Sequence, residues 1–412
     1  MNDIVNYFSP AIYKMTIRCW HSPGNLHSVS MTMVVRVGSI HESSSEIGCA
    51  HFLEHFLFRN IPNIADQMTG IGAEYNAFTG KEHTGFDITC SLRCADTAAS
   101  VMKSIIFSFP DVTTEIGLID QKIVMAEMNM LQLDPMHVIL SKSSKIVNRG
   151  TEYARSVGGS LEDVAIITEK TLHDFYQKHY KVENMLLIVS GGGEHFDVRK
   201  LCTALGFPKP IITTITNAPQ YTPPTDIPTR LSHASQTPWL VTDYIGNGQF
   251  QTCITSSVDI GIQHGDLQFV CCMNVLVLAL KGIFYDRVRE VNAMTYHVDC
   301  FFLTNLHKSA LYITTLVAVK DIDKYKEIAT SILRDSTLDR HAIERSIFFL
   351  IETHPRYTQS NTSILPFYID QASHFDTPVY TMHDEVRALK TLTYDDVIRV
   401  FNMCFTTSHT TP

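Results

Sequence analysis

Charged residues are sparse in this chain of 412 residues: Asp, Glu, Lys and Arg together make up 18%, and the formal net charge is only -9. No run of one sign is long enough to mark a tail for nucleic acid or lipid headgroups, so neither partner is expected. The ten cysteines include no CxxC pair, the closest being Cys90 with Cys94 and the neighbours Cys271 and Cys272. A disulfide framework is therefore not expected, and the thiols read as small buried hydrophobes in a reducing compartment. No apolar signal core stands at the N-terminus, which carries Asp3, Lys14 and Arg18 and lacks the Arg- and Ser-rich character of a transit peptide. An organelle address would have to be cryptic or internal. No uninterrupted apolar run reaches the roughly 18 to 20 residues of a membrane span. The most apolar segment, Phe269 to Phe284, is broken by Asn274 and Lys281 and is expected to be a core helix, with no transmembrane segment.

Apolar residues make up 45% of the chain, enough for a sizeable core, and the length is that of about two domains. Seven of the sixteen prolines fall between Pro208 and Pro238, where neither a regular helix nor a central strand is sustained. The expected division is 1–205, a Pro/Thr-rich linker over 206–238, and 239–412. In the first part, Val29–Val37 reads as a buried strand, followed by a break at Gly38 and Ser39 and a helix starting near Ser45. Gly85–Leu92 and Asn184–Ser190 read as strands, Asp96–Phe109 and Thr114–Leu133 as helices. After the linker a similar order recurs, with strands over Thr252–Ile260 and Ser309–Val319 and a long helix from about Gly265. The fold class is α+β, two domains of similar plan.

The chemistry is concentrated in Gly48-Cys49-Ala50-His51-Phe52-Leu53-Glu54-His55, inside the helix that starts near Ser45. Residues four apart share a helix face, so His51 and His55 reach one ion, and Glu54 borders the same face within reach of a water. This HxxEH spacing suits zinc, which takes imidazole and carboxylate ligands and keeps an open position for catalysis. The alternative is a chance match, for the chain has nineteen histidines. A carboxylate from a second helix would complete a three-ligand site, and Glu127 in the predicted helix 114–133 supplies one. Asp120 lies two turns before it on nearly the same face, either as a carboxylate that orients the ligand network or as a charge facing the helix dipole.

On these residues the chain resembles the pitrilysin-like metallopeptidases, and within them the β-type processing peptidases of mitochondria and their short bacterial relatives. The likeness runs through Val37 to Glu42, Gly48 to Phe58, Gly72 to Thr84, Glu127 and Phe175 to Gly191, and continues into the second domain. It implies two similar α/β sandwich domains forming half of a clam-shell, with one Zn2+ per chain held by His51, His55 and Glu127 and with Glu54 as general base. It further implies that Ala73, Glu74, Tyr75, Asn76, Ala77 and Phe78 form an edge strand against which an extended substrate lies, where the alternative is a plain hairpin. Arg289 and Tyr296 would donate hydrogen bonds to the substrate carbonyl; the alternatives are a helix salt bridge for Arg289 and a core aromatic for Tyr296.

The chain departs from that pattern in three places. Asp120 stands where the family usually has Glu. His137 and Ser141 stand where processing peptidases carry the acidic residues that bind an arginine near the cleavage site, and Phe58–Gly70 is shortened. The expected function is a zinc endopeptidase acting on short extended peptides, by preference N-terminal presequences of imported proteins in mitochondria or a reduced organelle such as a mitosome or hydrogenosome. The alternatives are a cytoplasmic, bacterial-type oligopeptidase and a non-catalytic core subunit of the same fold. A homodimer, or a heterodimer with a second two-domain subunit, is the expected partnership.

Overall fold

The structure, a computed structural model, describes residues 16–405 apart from 25–26, 112–113, 216–234, 237–239, 247–248, 260–265, 306–307, 336–337, 359, 373 and 375–379. The expected linker thus lies mostly outside the described residues. Its start forms strand β6 (Ile211–Thr214), and Ser235–Gln236 forms β7. The chain folds into two compact units interleaved along the sequence: Met1–Asn129 with Arg155–Ala218 and Arg356–Thr381, and Met130–Ala154 with Pro219–Pro355 and Met382–Pro412.

The first unit is built on a six-stranded sheet in the order β3-β4-β2-β5-β1-β6. Its other strands are β1 (Arg18–Ser22), β2 (Ser28–Val35), β3 (Glu74–Thr79), β4 (Thr84–Ser91) and β5 (Met185–Gly191). β2 is antiparallel to both β4 and β5, whereas β1 runs parallel to β5 and β6. Strands central to a sheet with both faces covered read as continuous apolar runs, as Met185–Val189 of β5 does, whereas β2 alternates Ser28, Ser30 and Thr32 with apolar residues and is still buried over Val29–Val35. Met31, Met33, Val35, Leu187 and Val189 join the core formed with helices α1 (Cys49–Leu57) and α3 (Ala95–Ile106). The alternate residues Val34, Leu186 and Ile188 are fully buried on the opposite face, where the helix Asn361–Ala372 packs on β2 and β5. Among its other helices are α2 (Ile64–Gly70), between α1 and α3, and α4 (Thr114–Leu133), after α3.

The second unit has a five-stranded antiparallel system: β10 (Val298–Thr304), β11 (Ser309–Ala318), β9 (Gln249–Asp259) and β7, with β8 (Leu240–Gly246) also on β9. Helix α5 (Pro135–Val147) packs on β8 and β9. Asp134 caps it, accepting from Met136 N at 2.9 Å, and Pro135 occupies the first turn, where no amide is needed.

The apolar helix here corrects one expectation. It runs Leu267–Phe284, 18 residues, and continues as a π-helical segment over Tyr285–Glu290, so length and composition alone would let it cross a membrane. Asn274 and Lys281 do not interrupt it. Burial identifies it instead: Phe269, Leu276, Leu280 and Phe284 are almost fully buried, and it packs on β10 and on the helices Met382–Thr391 and Tyr394–Phe405. It is a core helix of its unit.

Candidate metal centre

Helix α1 is fixed at its start by a side chain from the preceding turn. Glu42, buried, accepts from the backbone N–H of Gly48 at 3.0 Å and of Ala50 at 2.8 Å, taking up two of the donors a helix N-terminus leaves open. Burial pushes its carboxyl up to about 7 despite those bonds. Gly48 is left-handed (φ 90°), and a Cβ there would come within 2.8 Å of Gly158 O, so only glycine fits. This anchoring sets the rotation of α1 and hence where His51 and His55 point.

The two imidazoles converge as the spacing predicts. His51 Nε2 and His55 Nε2 are 3.3 Å apart, and Glu127 Oε2, from α4, lies 3.7 Å from the first and 3.1 Å from the second. Donors bound at about 2.1 Å to a tetrahedral zinc lie about 3.4 Å from one another. The three observed separations fit that ion. Among the described residues these three form the one group of His, Cys, Asp or Glu side chains close enough together for a metal. Burial, and then the neighbouring His55, hold His51 below the usual imidazole pKa, which favours the neutral form that ligates. Its Nδ1 is buried with no hydrogen-bond partner among the described residues and lies beside Gly158.

Glu54 lies close enough to His55 and Glu127 to feel both charges. It is 8% exposed, and Oε2 accepts from the Thr79 hydroxyl at 2.7 Å. Burial raises its pKa, which strengthens it as a base. Thr79 is the last residue of β3, so the strand expected to carry substrate also holds the expected base. Nothing in the sequence pattern singled Thr79 out, because the contact joins residues distant along the chain.

Asp120 is 4% exposed, and its carboxylate is taken up by Arg59: Nε donates at 2.9 and 3.0 Å and Nη2 at 2.6 Å. The aspartate raises the Arg59 pKa further. Among the described residues Asp120 meets Arg59 and neither imidazole. Arg59 stands four positions beyond His55 in the chain and Asp120 two turns before Glu127 on α4, so the pair ties the helix turn after α1 to the helix that brings Glu127. The shorter aspartate is matched by a long guanidinium that reaches it.

Among the described residues β3 pairs only with β4 and forms the edge of its sheet, spanning Glu74–Thr79 with Ala73 just outside it. Arg289 and Tyr296 belong to the second unit. Arg289 sits in the π-helical segment, its guanidinium 4.6 Å from the ring centre of Tyr285 and 4.7 Å from that of Tyr296, and it donates to the Tyr285 hydroxyl. Tyr296 is 84% exposed and is no core aromatic. Arg289 also lies 3.6 Å from Glu290. Tyr285, which no sequence pattern marked, is part of this stack.

Residues 21–160 match the insulinase family, peptidase family M16. An uncharacterized zinc protease of Mycobacterium bovis is 31% identical over 182 residues, 41% of this chain and 40% of that protein. The β subunit of the mitochondrial-processing peptidase of Caenorhabditis elegans is 24% identical over 179 residues, 42% of this chain and 39% of its own length. The matched stretch thus spans about two fifths of these curated relatives. In fold, the crystal structure of an M16-like peptidase from Alicyclobacillus acidocaldarius covers 92% of the chain with a TM-score of 0.73 at 16% identity.

Proposed function

We propose, from the membership of residues 21–160 in the insulinase family of M16 peptidases, that this chain is a zinc endopeptidase that cleaves short extended peptides. The observation that carries the reading is the spacing of His51, His55 and Glu127, which suits one tetrahedral ion, with a buried glutamate close enough to His55 and Glu127 to feel both charges. Bound there, zinc would acidify a water and polarise the scissile carbonyl. The chain's own groups do the rest. Glu54, its carboxylate positioned by Thr79, takes the proton from the attacking water and returns it to the leaving amine. The open edge of β3 holds the substrate main chain by strand addition, which binds many sequences. Arg289 and Tyr296 donate to the carbonyl as charge develops on it, the role the family resemblance implies.

The substrate we favour is a short basic presequence in a mitochondrion or a related organelle, processed by the chain alone, as monomer or homodimer. The likeness to a processing-peptidase β subunit supports the substrate class. His137 and Ser141 in place of acidic residues, and the short Phe58–Gly70 stretch, support a site simplified together with its substrate. The test is to measure the metal content of the purified chain and its cleavage of such a peptide. About one zinc per chain with cleavage is expected. No zinc would leave a non-catalytic scaffold, and zinc-loaded protein that stays inert until a second subunit is added would establish an obligate heterodimer.

A further inference from the structure

The edge strand has a second face. Tyr75 packs on Phe58, with ring centres 5.8 Å apart, and Thr79 reaches Glu54, so the odd positions of β3 face α1. Glu74, Asn76 and Phe78 alternate with them and face the other way. Their cross-strand partners on β4, respectively Thr89, Asp87 and Gly85, share that face. A cavity of about 580 Å³ opens there, with Leu365, Pro366 and Ile369 of the helix Asn361–Ala372 as its apolar wall.

The chemistry of this cavity is specific. The Phe78 ring lies over Gly85, where a Cβ would come within 2.2 Å of it, and His83 meets that ring edge-on at 5.7 Å. Two carboxylates enter from the sheet. Glu74 is exposed at the rim, and Asp87, deeper, accepts from the Thr32 hydroxyl and is pushed up to about 6 by burial. Asp370 joins them in the lining, which among the described residues includes no Lys or Arg, and burial holds His83 toward its neutral form. An aromatic floor, an aliphatic wall and carboxylates at rim and base complement a cationic group on an apolar stem.

A peptide added to the open edge of β3 continues the pleat and sends alternate side chains to the two faces. We propose that this notch is the subsite for a Lys or Arg side chain of the bound peptide, at the positions whose side chains point away from α1. The inference rests on reading the chain as a peptidase whose substrate lies on β3. It gives the basic preference a location that does not depend on positions 137 and 141.

The test walks a single Lys, in place of norleucine, through consecutive positions of an extended peptide. Binding to the zinc-loaded Glu54→Gln protein is followed by fluorescence anisotropy, and cleavage by the wild type is measured in parallel. Lys is expected to bind about tenfold tighter than norleucine at every second position only, the size of one partly desolvated charged contact. That advantage should shrink to twofold or less in Glu74→Gln and in Asp87→Asn, and Glu74→Lys should turn the preference toward Glu. An equal Lys effect at adjacent positions, or an alternation that survives in all three variants, overturns the subsite. Alternating binding with no cleavage by the wild type keeps the subsite and removes the peptidase reading. Cleavage without alternation does the reverse.

Discussion

Both units pack helices on a sheet, mixed in the first and antiparallel in the second, yet α1 of the first and the helix Leu267–Phe284 of the second differ in kind. In the first unit α1 carries His51, Glu54 and His55. In the second, Leu267–Phe284 contains no His, Asp or Glu and presents Phe269, Leu276, Leu280 and Phe284 to its core. The comparison shows that architecture does not confer chemistry. What distinguishes the first unit is a capped helix with two imidazoles one turn apart, a second helix that brings Glu127, and a strand whose Thr79 donates to Glu54. The second unit offers donors instead, with Arg289 stacked between Tyr285 and Tyr296 in a π-helical turn, a departure from α-helix that often marks a functional position.

If all metal and base chemistry sits in the first unit, the largest effect comes from removing a ligand there. Glu127→Gln should lower zinc affinity by more than the roughly 10- to 100-fold that loss of an outer-shell partner costs, and activity with it, as read by competition with a chelator. Full zinc retention would take Glu127 out of the ligand set. In the second unit, Arg289→Ala should leave zinc content unchanged and slow turnover by about 100-fold, the scale for losing one donor to a developing oxyanion. A loss of zinc in that variant would break the division of labour.

The next effect lies within the first unit. Arg59→Ala leaves the Asp120 carboxylate buried without its partner, at a cost of about 3 kcal/mol in chemical denaturation. Because the pair ties the turn after α1 to α4, zinc affinity should fall too, whereas Arg59→Lys should recover part of both. No change in either quantity would make the pair an incidental contact.

The smallest expected effect is a pH dependence from Asp87. Its folded pKa of about 6 is raised by burial, so the unfolded chain ionises first as pH rises. The resulting penalty on the folded state is absent below about pH 4, grows between about 4 and 6, and is complete above, at up to ~2–3 kcal/mol. Asp87→Asn should therefore match the wild type near pH 4 and exceed its stability at pH 7.5. An equal difference at both pH values would contradict the burial account.

The parts of the centre legible in the sequence were those set by local periodicity. His51, Glu54 and His55 follow from one helix, and the strands around residues 29–37, 85–92 and 184–190 from their β-branched or apolar runs. Glu127 was reachable as a carboxylate on a second helix. The Arg59–Asp120 pair and the Thr79–Glu54 bond were not, since each joins segments that only the tertiary fold brings together. The same holds for the interleaving of the units: nothing in the sequence of α5, or of the helix Asn361–Ala372 with Pro366 inside it, marks which sheet each covers, and packing decides it. The length argument for Leu267–Phe284 failed because a helix accommodates single polar residues such as Asn274 and Lys281.

The central claim, that Glu54 is the base beside a zinc held by its neighbours, is tested most directly by one paired measurement on Glu54→Gln: zinc per chain and the rate of peptide hydrolysis. The expected result is about one zinc per chain, as in the wild type, with hydrolysis reduced by at least about 100-fold. Loss of the metal would make Glu54 structural, and hydrolysis at the wild-type rate with zinc in place would remove it from the reaction.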